Sequence, residues 1–297
     1  MKCCNAKTLA VPLALAACLA ALPVFGQEAW TMEHQLGDVL TLSLIDLAAL
    51  QTTPVGEVDL FEAVAITRGV GDELWLVGQQ TSSSAETLYR LNASSLALEE
   101  IGELSLTGAF VRDLAWLSDG RLMMSAAEGA TDGLYEVDIA TGSASLISEV
   151  DEPLLVLGAV DDQLFSILRT DPDFGLFDID PDDATPSFLF DIPADLLGFE
   201  NSLNAGPDGR LYLLGAYSFP IAPPTLIHLS VRIDPISGAL DLLGEELTSD
   251  SSRYIGVVPV SSQAVIDVPG PGAAGQVTLW TLLLVAGLTT IRYRQMS

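Results

Sequence analysis

The sequence predicts an all-β fold, a single β-propeller of five four-stranded blades, from a recurring phrase, a recurring interval and a pair of complementary chain ends. The phrase is a short alternating apolar run that ends on Asp or Asn. It reads Leu42-Ser43-Leu44-Ile45-Asp46, Leu88-Tyr89-Arg90-Leu91-Asn92, Leu134-Tyr135-Glu136-Val137-Asp138, Leu176-Phe177-Asp178-Ile179-Asp180 and Ser230-Val231-Arg232-Ile233-Asp234. The closing residues lie 46, 46, 42 and 54 positions apart, the period of a propeller blade and too long for a leucine-rich unit.

Residues 1–26 read as a signal peptide. Lys2 and Lys7 precede an apolar run over 9–22, and Val24 and Gly26 occupy the small-residue exit before Gln27. The run is shorter than the ~20 residues a membrane span needs. Leu15-Ala16-Ala17-Cys18 resembles a bacterial lipobox and offers a competing exit, although the chain stays apolar beyond Cys18. Cys3, Cys4 and Cys18 are the three cysteines of the chain, so cleavage after Gly26 leaves a body with neither disulfide nor thiolate.

Residues 27–267 form the predicted propeller. A second phrase precedes each closing phrase: an apolar strand, a tight Gly or Asp turn, and another strand. Asp119-Gly120 and Asp208-Gly209 are its clearest turns, and Asp-Gly between β-type runs is a strong hairpin signal. Full units span roughly 61–106, 109–150, 153–193 and 198–247. Residues 40–60 supply a third and fourth strand with no first, and Tyr254-Ile255-Gly256-Val257-Val258 a first strand with no third or fourth. Joining the two fragments closes a fifth blade and removes the free sheet edges. Two β-sandwiches would also have many short strands, but would not explain one interval with the phrases always in one order. The body resembles bacterial repeat propellers that carry a Leu-Tyr-x-φ-Asp-x-x-Thr-Gly phrase, here from Leu134 to Gly142; the resemblance implies a fold and no chemistry.

Charge separates the body from its ends. Its eight arginines face all 40 acids, an excess of 32 negative charges, because both lysines lie in the leader and Arg292 and Arg294 in the tail. Such a surface repels nucleic acid and suits divalent cations or salty surroundings.

The sequence restricts the available chemistry. His34 and His228 are the only histidines, which disfavours a Ser-His type of nucleophilic site and zinc. Propellers place functional groups where the inner strands open into the central channel, and the residues entering those strands are Glu62, Arg112, Asp113, Glu200, Asn201 and Arg253. Their carboxylates and amide could hold calcium through oxygen ligands, or form a solvated rim neutralised by the arginines. Asp178, Asp180 and Asp182, at a spacing of two, are a weaker calcium set. Ser218-Phe219-Pro220-Ile221-Ala222-Pro223-Pro224 lengthens the fourth interval and reads as a stiff apolar protrusion.

The tail begins with the Pro/Gly linker 268–272, continues as the apolar stretch 273–291 and ends in the basic segment 292–297. The stretch is just long enough to span a bilayer, with Arg292 and Arg294 on the cytoplasmic side. The order of Pro/Gly motif, apolar helix and arginine cluster resembles the tripartite sorting signals of the PEP-CTERM class. That resemblance implies recognition by an exosortase-type membrane protease and export to the cell surface. Gly270 stands where the class has Glu, which puts cleavage in question and leaves an anchor. Two functional readings follow. One is a non-enzymatic envelope scaffold binding a protein or polysaccharide; the other is a calcium-assisted hydrolase of glycosidase or lactonase type at the channel mouth.

Overall fold

The computed structural model describes residues 28–34, 40–82, 85–106, 108–170, 173–197, 200–219, 225–248 and 253–260. The leader, the tail, and residues 171–172 and 220–224 lie outside the described residues.

Every sheet has four antiparallel strands. Strands β1 (Glu28–His34), β2 (Leu40–Asp46) and β3 (Gln51–Val58) begin the chain. The first complete blade is β4 (Glu62–Arg68), β5 (Glu73–Gln79), β6 (Thr87–Asn92) and β7 (Ala97–Glu103). The second is β8 (Ala109–Trp116), β9 (Leu122–Glu128), β10 (Thr131–Val137) and β11 (Ala144–Val150). The third is β12 (Leu157–Val160), β13 (Gln163–Arg169), β14 (Phe174–Ile179) and β15 (Pro186–Ile192). The fourth is β16 (Glu200–Ala205), β17 (Leu211–Phe219), β18 (Thr225–Ile233) and β19 (Leu240–Thr248). Finally β20 (Arg253–Pro259) returns to pair with β1, giving a closing blade in the order β20-β1-β2-β3.

The inner strands close a ring, since β4 packs on β8, β8 on β12, β12 on β16, β16 on β20 and β20 on β4. The fold is a five-bladed β-propeller, as the repeat predicts. One part of the sequence reading is extended. The closing blade draws three strands from the N-terminal side, with β1 supplying the second and His34 at its end.

The five Asp/Asn positions of the phrase recur because each folds a turn between third and fourth strands. Asp46 Oδ1 accepts the N–H of Ala48 and Ala49 at 2.8 and 3.1 Å. Asn92 Oδ1 accepts that of Ser95 at 2.9 Å, Asp138 Oδ1 that of Ala140 at 2.8 Å, and Asp180 Oδ1 that of Asp182 at 2.8 Å. Asp234 Oδ1 accepts those of Ile236 and Ser237, each at 3.0 Å. Short acidic and amide side chains favour this local bonding over continuing a strand. Four residues on, Leu50, Leu96, Gly142, Ala184 and Gly238 each donate to the carbonyl of the same anchor from a positive φ. Gly142 fits because a Cβ there would run into the carbonyl oxygen of Gly102 on the neighbouring blade.

The outermost strands share a second device. Each carries one extra residue at the same level of its ladder, namely Val55, Ile101, Ile147, Leu189 and Leu243. Such bulges twist an edge strand and spoil it as a template for further pairing. Ile101, Ile147 and Leu243 turn their side chains into the apolar layers between blades.

The core lies in those layers rather than on the axis. Trp75 of β5 stacks on Trp116 of β8, with ring centroids 5.9 Å apart, between the first two blades. Phe165, Ile167, Leu203 and Leu213 fill the layer between the third and fourth.

Candidate functional site

At the axis, backbone amides and short polar side chains of five strands meet. The ladder of β8 on β9 shifts between Val111 and Asp113, which makes Arg112 an extra residue. The bulge divides the two neighbours' roles. Arg112 Nε and Nη2 donate to Asp132 Oδ1 at 3.1 and 2.6 Å, and its guanidinium lies 5.3 Å from the centre of the Phe110 ring. Asp113, only 1% exposed, turns inward.

Asp113 holds three strands together. Its Oδ1 accepts the N–H of Leu114 at 2.9 Å, and its Oδ2 accepts those of Leu157 on β12 and Leu203 on β16, each at 3.1 Å. Burial pushes its carboxyl up to about 8, although the three amide hydrogens pull the other way. On the opposite side, Thr67 Oγ1 of β4 donates to Asn204 Oδ1 of β16 at 2.7 Å, and Asn204 Nδ2 donates to the Ile66 carbonyl at 3.2 Å. Ser202 Oγ accepts the Val257 N–H of β20 at 3.3 Å. All five inner strands are thereby linked. Two of the links, β8 to β16 and β16 to β4, join strands that are not neighbours in the ring, so bonded side chains cross the axis.

The end of the ring at which the inner strands begin, the entry face, has a different character. Phe61 and Phe110 stand 45% and 63% exposed there, at the starts of neighbouring inner strands. Glu62 pairs with Gln79 across β4 and β5. Glu86 continues β6 by one residue, its carbonyl accepting the Leu104 N–H at 3.1 Å, and so flanks Gln79 on the other side. Paired positions share a sheet face, which puts the two glutamates in one row about 10 Å apart between backbones. Burial, then the charge of Glu62, push the Glu86 carboxyl up to about 7.

The residues predicted as one channel set thus have separate fates. Glu62 lies on the entry face, Arg112 is bridged to Asp132 and Asp113 lies in the hub. Glu200, Asn201 and Arg253 begin β16 and β20 at the same end of the ring, with side chains outside the described residues. Of the calcium set, Asp180 caps its own turn and Asp182 bridges Arg121 at 2.7 Å. Asp178 faces Phe165 and Ser187 across its ladders, its carboxyl pushed up by burial and then by Asp180. Among the described residues no group of three or more His, Cys, Asp or Glu is arranged to hold a metal ion. Glu86 was absent from the sequence candidates because it falls in a connection, outside both recurring phrases.

A further polar cluster lies at the seam between the fourth and closing blades. His228 of β18 is buried, its ring 4.7 Å from that of Tyr254 on β20. Tyr254 pairs with Glu33 across β20 and β1, and Thr31 with Ser43 across β1 and β2. Both His228 nitrogens, Glu33 Oε1, Thr31 Oγ1 and Ser43 Oγ lack a hydrogen-bond partner among the described residues. Burial holds the imidazole below its usual pKa, which favours its neutral form.

No protein-family model matches the chain, and no curated protein matches its sequence. Several solved structures are similar in fold. TolB from Acinetobacter baumannii has 12% identity, with 82% of this chain and 70% of that one covered and a TM-score of 0.44. A chain of the nidogen/laminin complex has 10% identity, coverage of 79% and 99%, and a TM-score of 0.47. Puromycin hydrolase has 14% identity and a TM-score of 0.44, with 75% of this chain aligned to only 36% of that one. The likeness is one of fold alone. The blade count comes from the five sheets, and these neighbours assign no chemistry to the entry face.

Proposed function

We propose that the chain is an exported binding scaffold of the bacterial envelope. Its leader carries the propeller out of the cytoplasm, the segment 273–291 holds it in the membrane or directs its sorting, and the entry face meets a protein or polysaccharide ligand. The observation that supports this reading best is the hub. Asp113, Asn204, Ser202 and Thr67 are engaged in bonding inner strands to one another, and Arg112 is bridged to Asp132. A ring braced in this way is a rigid platform, and rigid elements present a binding face at low entropic cost. Phe61 and Phe110, with Glu62 and Gln79 beside them, give the entry face the mix of apolar and polar groups that binding uses.

Cysteine labelling tests the reading. Residues 27–297 contain no cysteine, so Phe110→Cys adds a unique thiol on the entry face. A membrane-impermeant maleimide should label it on intact cells. Labelling that appears only after lysis would overturn export. With export established, Phe61→Ala combined with Phe110→Ala should weaken retention of the body on cell-envelope polymer at least several-fold.

The glutamate pair favours a second reading, the hydrolase. A carboxyl that keeps its proton near neutrality is one half of acid–base chemistry, and Glu86 with Glu62 would be the pair. Assays on aryl glycosides and lactones, with and without calcium, decide it. Turnover abolished by Glu86→Gln would support the hydrolase, and no turnover on either class would remove it.

A further inference from the structure

Both ends of the ring leave from one face. The Val260 N–H donates to the Glu28 carbonyl at 2.9 Å, so the chain enters β1 and leaves β20 side by side, at the end of the ring opposite the entry face. Residues 261–272 separate that point from the apolar stretch 273–291. Even fully extended, those 12 residues reach no further than about 40 Å.

Three turns on this exit face carry exposed aliphatic side chains. Val70, between β4 and β5, is 69% exposed; Ile139, in the turn after β10, 37%; and Ile236, in the turn after β18, 96%. They come from the first, second and fourth blades, and so stand apart around the axis. Val70 and Ile236 stand free of one another, whereas Ile139 lines a pocket with Arg121, Leu146 and Ile147, so the three do not form one continuous groove. They do suit a fluid plane, into which each side chain can dip independently.

We propose that the exit face rests on the lipid bilayer, with Val70, Ile139 and Ile236 entering its interfacial layer and the entry face turned outward. The inference rests on reading 273–291 as a membrane segment. The exit-face turns are rich in acids: Asp46, Asp138, Asp180 and Asp234 bond within their own turns, and Asp119 and Asp182 flank Arg121. Asp208 lies beside Arg210, Asp72 and Asp162 accept serine hydroxyls, and Asp161 and Asp183 add to them, so the face keeps a negative charge. Their remaining negative field favours zwitterionic over anionic lipid, and salt should narrow that difference.

The test uses the full chain with Cys3, Cys4 and Cys18 changed to serine, reconstituted in phosphatidylcholine nanodiscs. Single cysteines replace Ile139, Ile236, Phe110 or Val285 and carry an environment-sensitive fluorophore, and nitroxide-labelled lipid serves as quencher. Probes at 139 and 236 should lose about half their emission with nitroxides placed in the outer ~10 Å of the leaflet, while the probe at 110 stays bright. Quenching at 285 but not at 139 and 236, or equal quenching at 110, would overturn the resting face and leave the anchor standing. No quenching at 285 would overturn the anchor, and the inference with it.

Discussion

Asp113 Oδ2 accepts the amide hydrogen of Leu203 at 3.1 Å, across 90 residues of chain and across the axis of the ring. The same oxygen accepts the Leu157 N–H, so one buried carboxyl group joins three blades that the sequence order places in succession. A closed propeller is held mainly by apolar layers between neighbours. Here a polar tie is added between blades that are not neighbours in the ring.

Removing that tie should be costly in proportion to the amides it leaves bare. Asp113→Ala strands three buried N–H groups and should lower the unfolding free energy by about 3 kcal/mol or more. Asp113→Asn keeps one carbonyl oxygen for Leu157 and Leu203 and loses only the bond to Leu114, so about 1 kcal/mol is expected. Urea denaturation of the three proteins below pH 3.8, where the carboxyl is largely neutral in the unfolded chain as well and folding takes up no proton, checks the order.

The same carboxyl sets a pH dependence of unusual sign for an acid. Its folded value of about 8 lies above the ordinary 3.8, so the folded chain binds more protons than the unfolded chain between those limits. Its contribution is fully present below 3.8 and is lost as pH rises to 8, at up to about 1.4 kcal/mol per pH unit. Urea midpoints measured from pH 5 to 9 should fall more steeply for the native chain than for Asp113→Asn.

At the seam between the fourth and closing blades the sign reverses. Burial holds His228 below the 6.5 of a free imidazole, so its contribution is lost as pH falls below that value through the folded pKa. His228→Phe keeps an aromatic ring against Tyr254 and removes two buried nitrogens that lack partners among the described residues. It should stabilise the ring by about 1 kcal/mol at neutral pH and more under acid. Thermal melts at pH 5 and 7 measure both effects.

Two glycines with positive φ separate backbone strain from steric clash. Gly120 has φ +96° and open space around it, whereas Gly142 has φ +80° and faces the Gly102 carbonyl of the next blade. Gly120→Ala should cost about 1 kcal/mol, the backbone part alone. Gly142→Ala should cost about 2 kcal/mol more, since blade spacing must change as well. Equal losses by chemical denaturation would contradict the close packing of those blades.

The architecture was legible because its signal is local and repeated. Asp46, Asn92, Asp138, Asp180 and Asp234 each bond within five residues of themselves, and a turn of that kind is written in consecutive letters. Strand β1 was less legible, because it is buried on both faces and Thr31 and Glu33 interrupt the apolar run that would mark such a strand. The hub was legible only in part. Asp113 stood out as an acid entering an inner strand, but whether such an acid meets solvent or the amides of β12 and β16 depends on ring closure. Glu86 depended on register, since only the pairing of β4, β5 and β6 brings it into line with Glu62.

The five bulged outer strands bear on how these molecules behave together. In the proposed membrane-held state, each ring would meet its copies at effective concentrations far above those of a dilute solution. Under such crowding, a straight outer strand would invite sheet-to-sheet growth from ring to ring. With Val55, Ile101, Ile147, Leu189 and Leu243 each interrupting a rim, neighbouring rings can touch at high density and still remain separate particles.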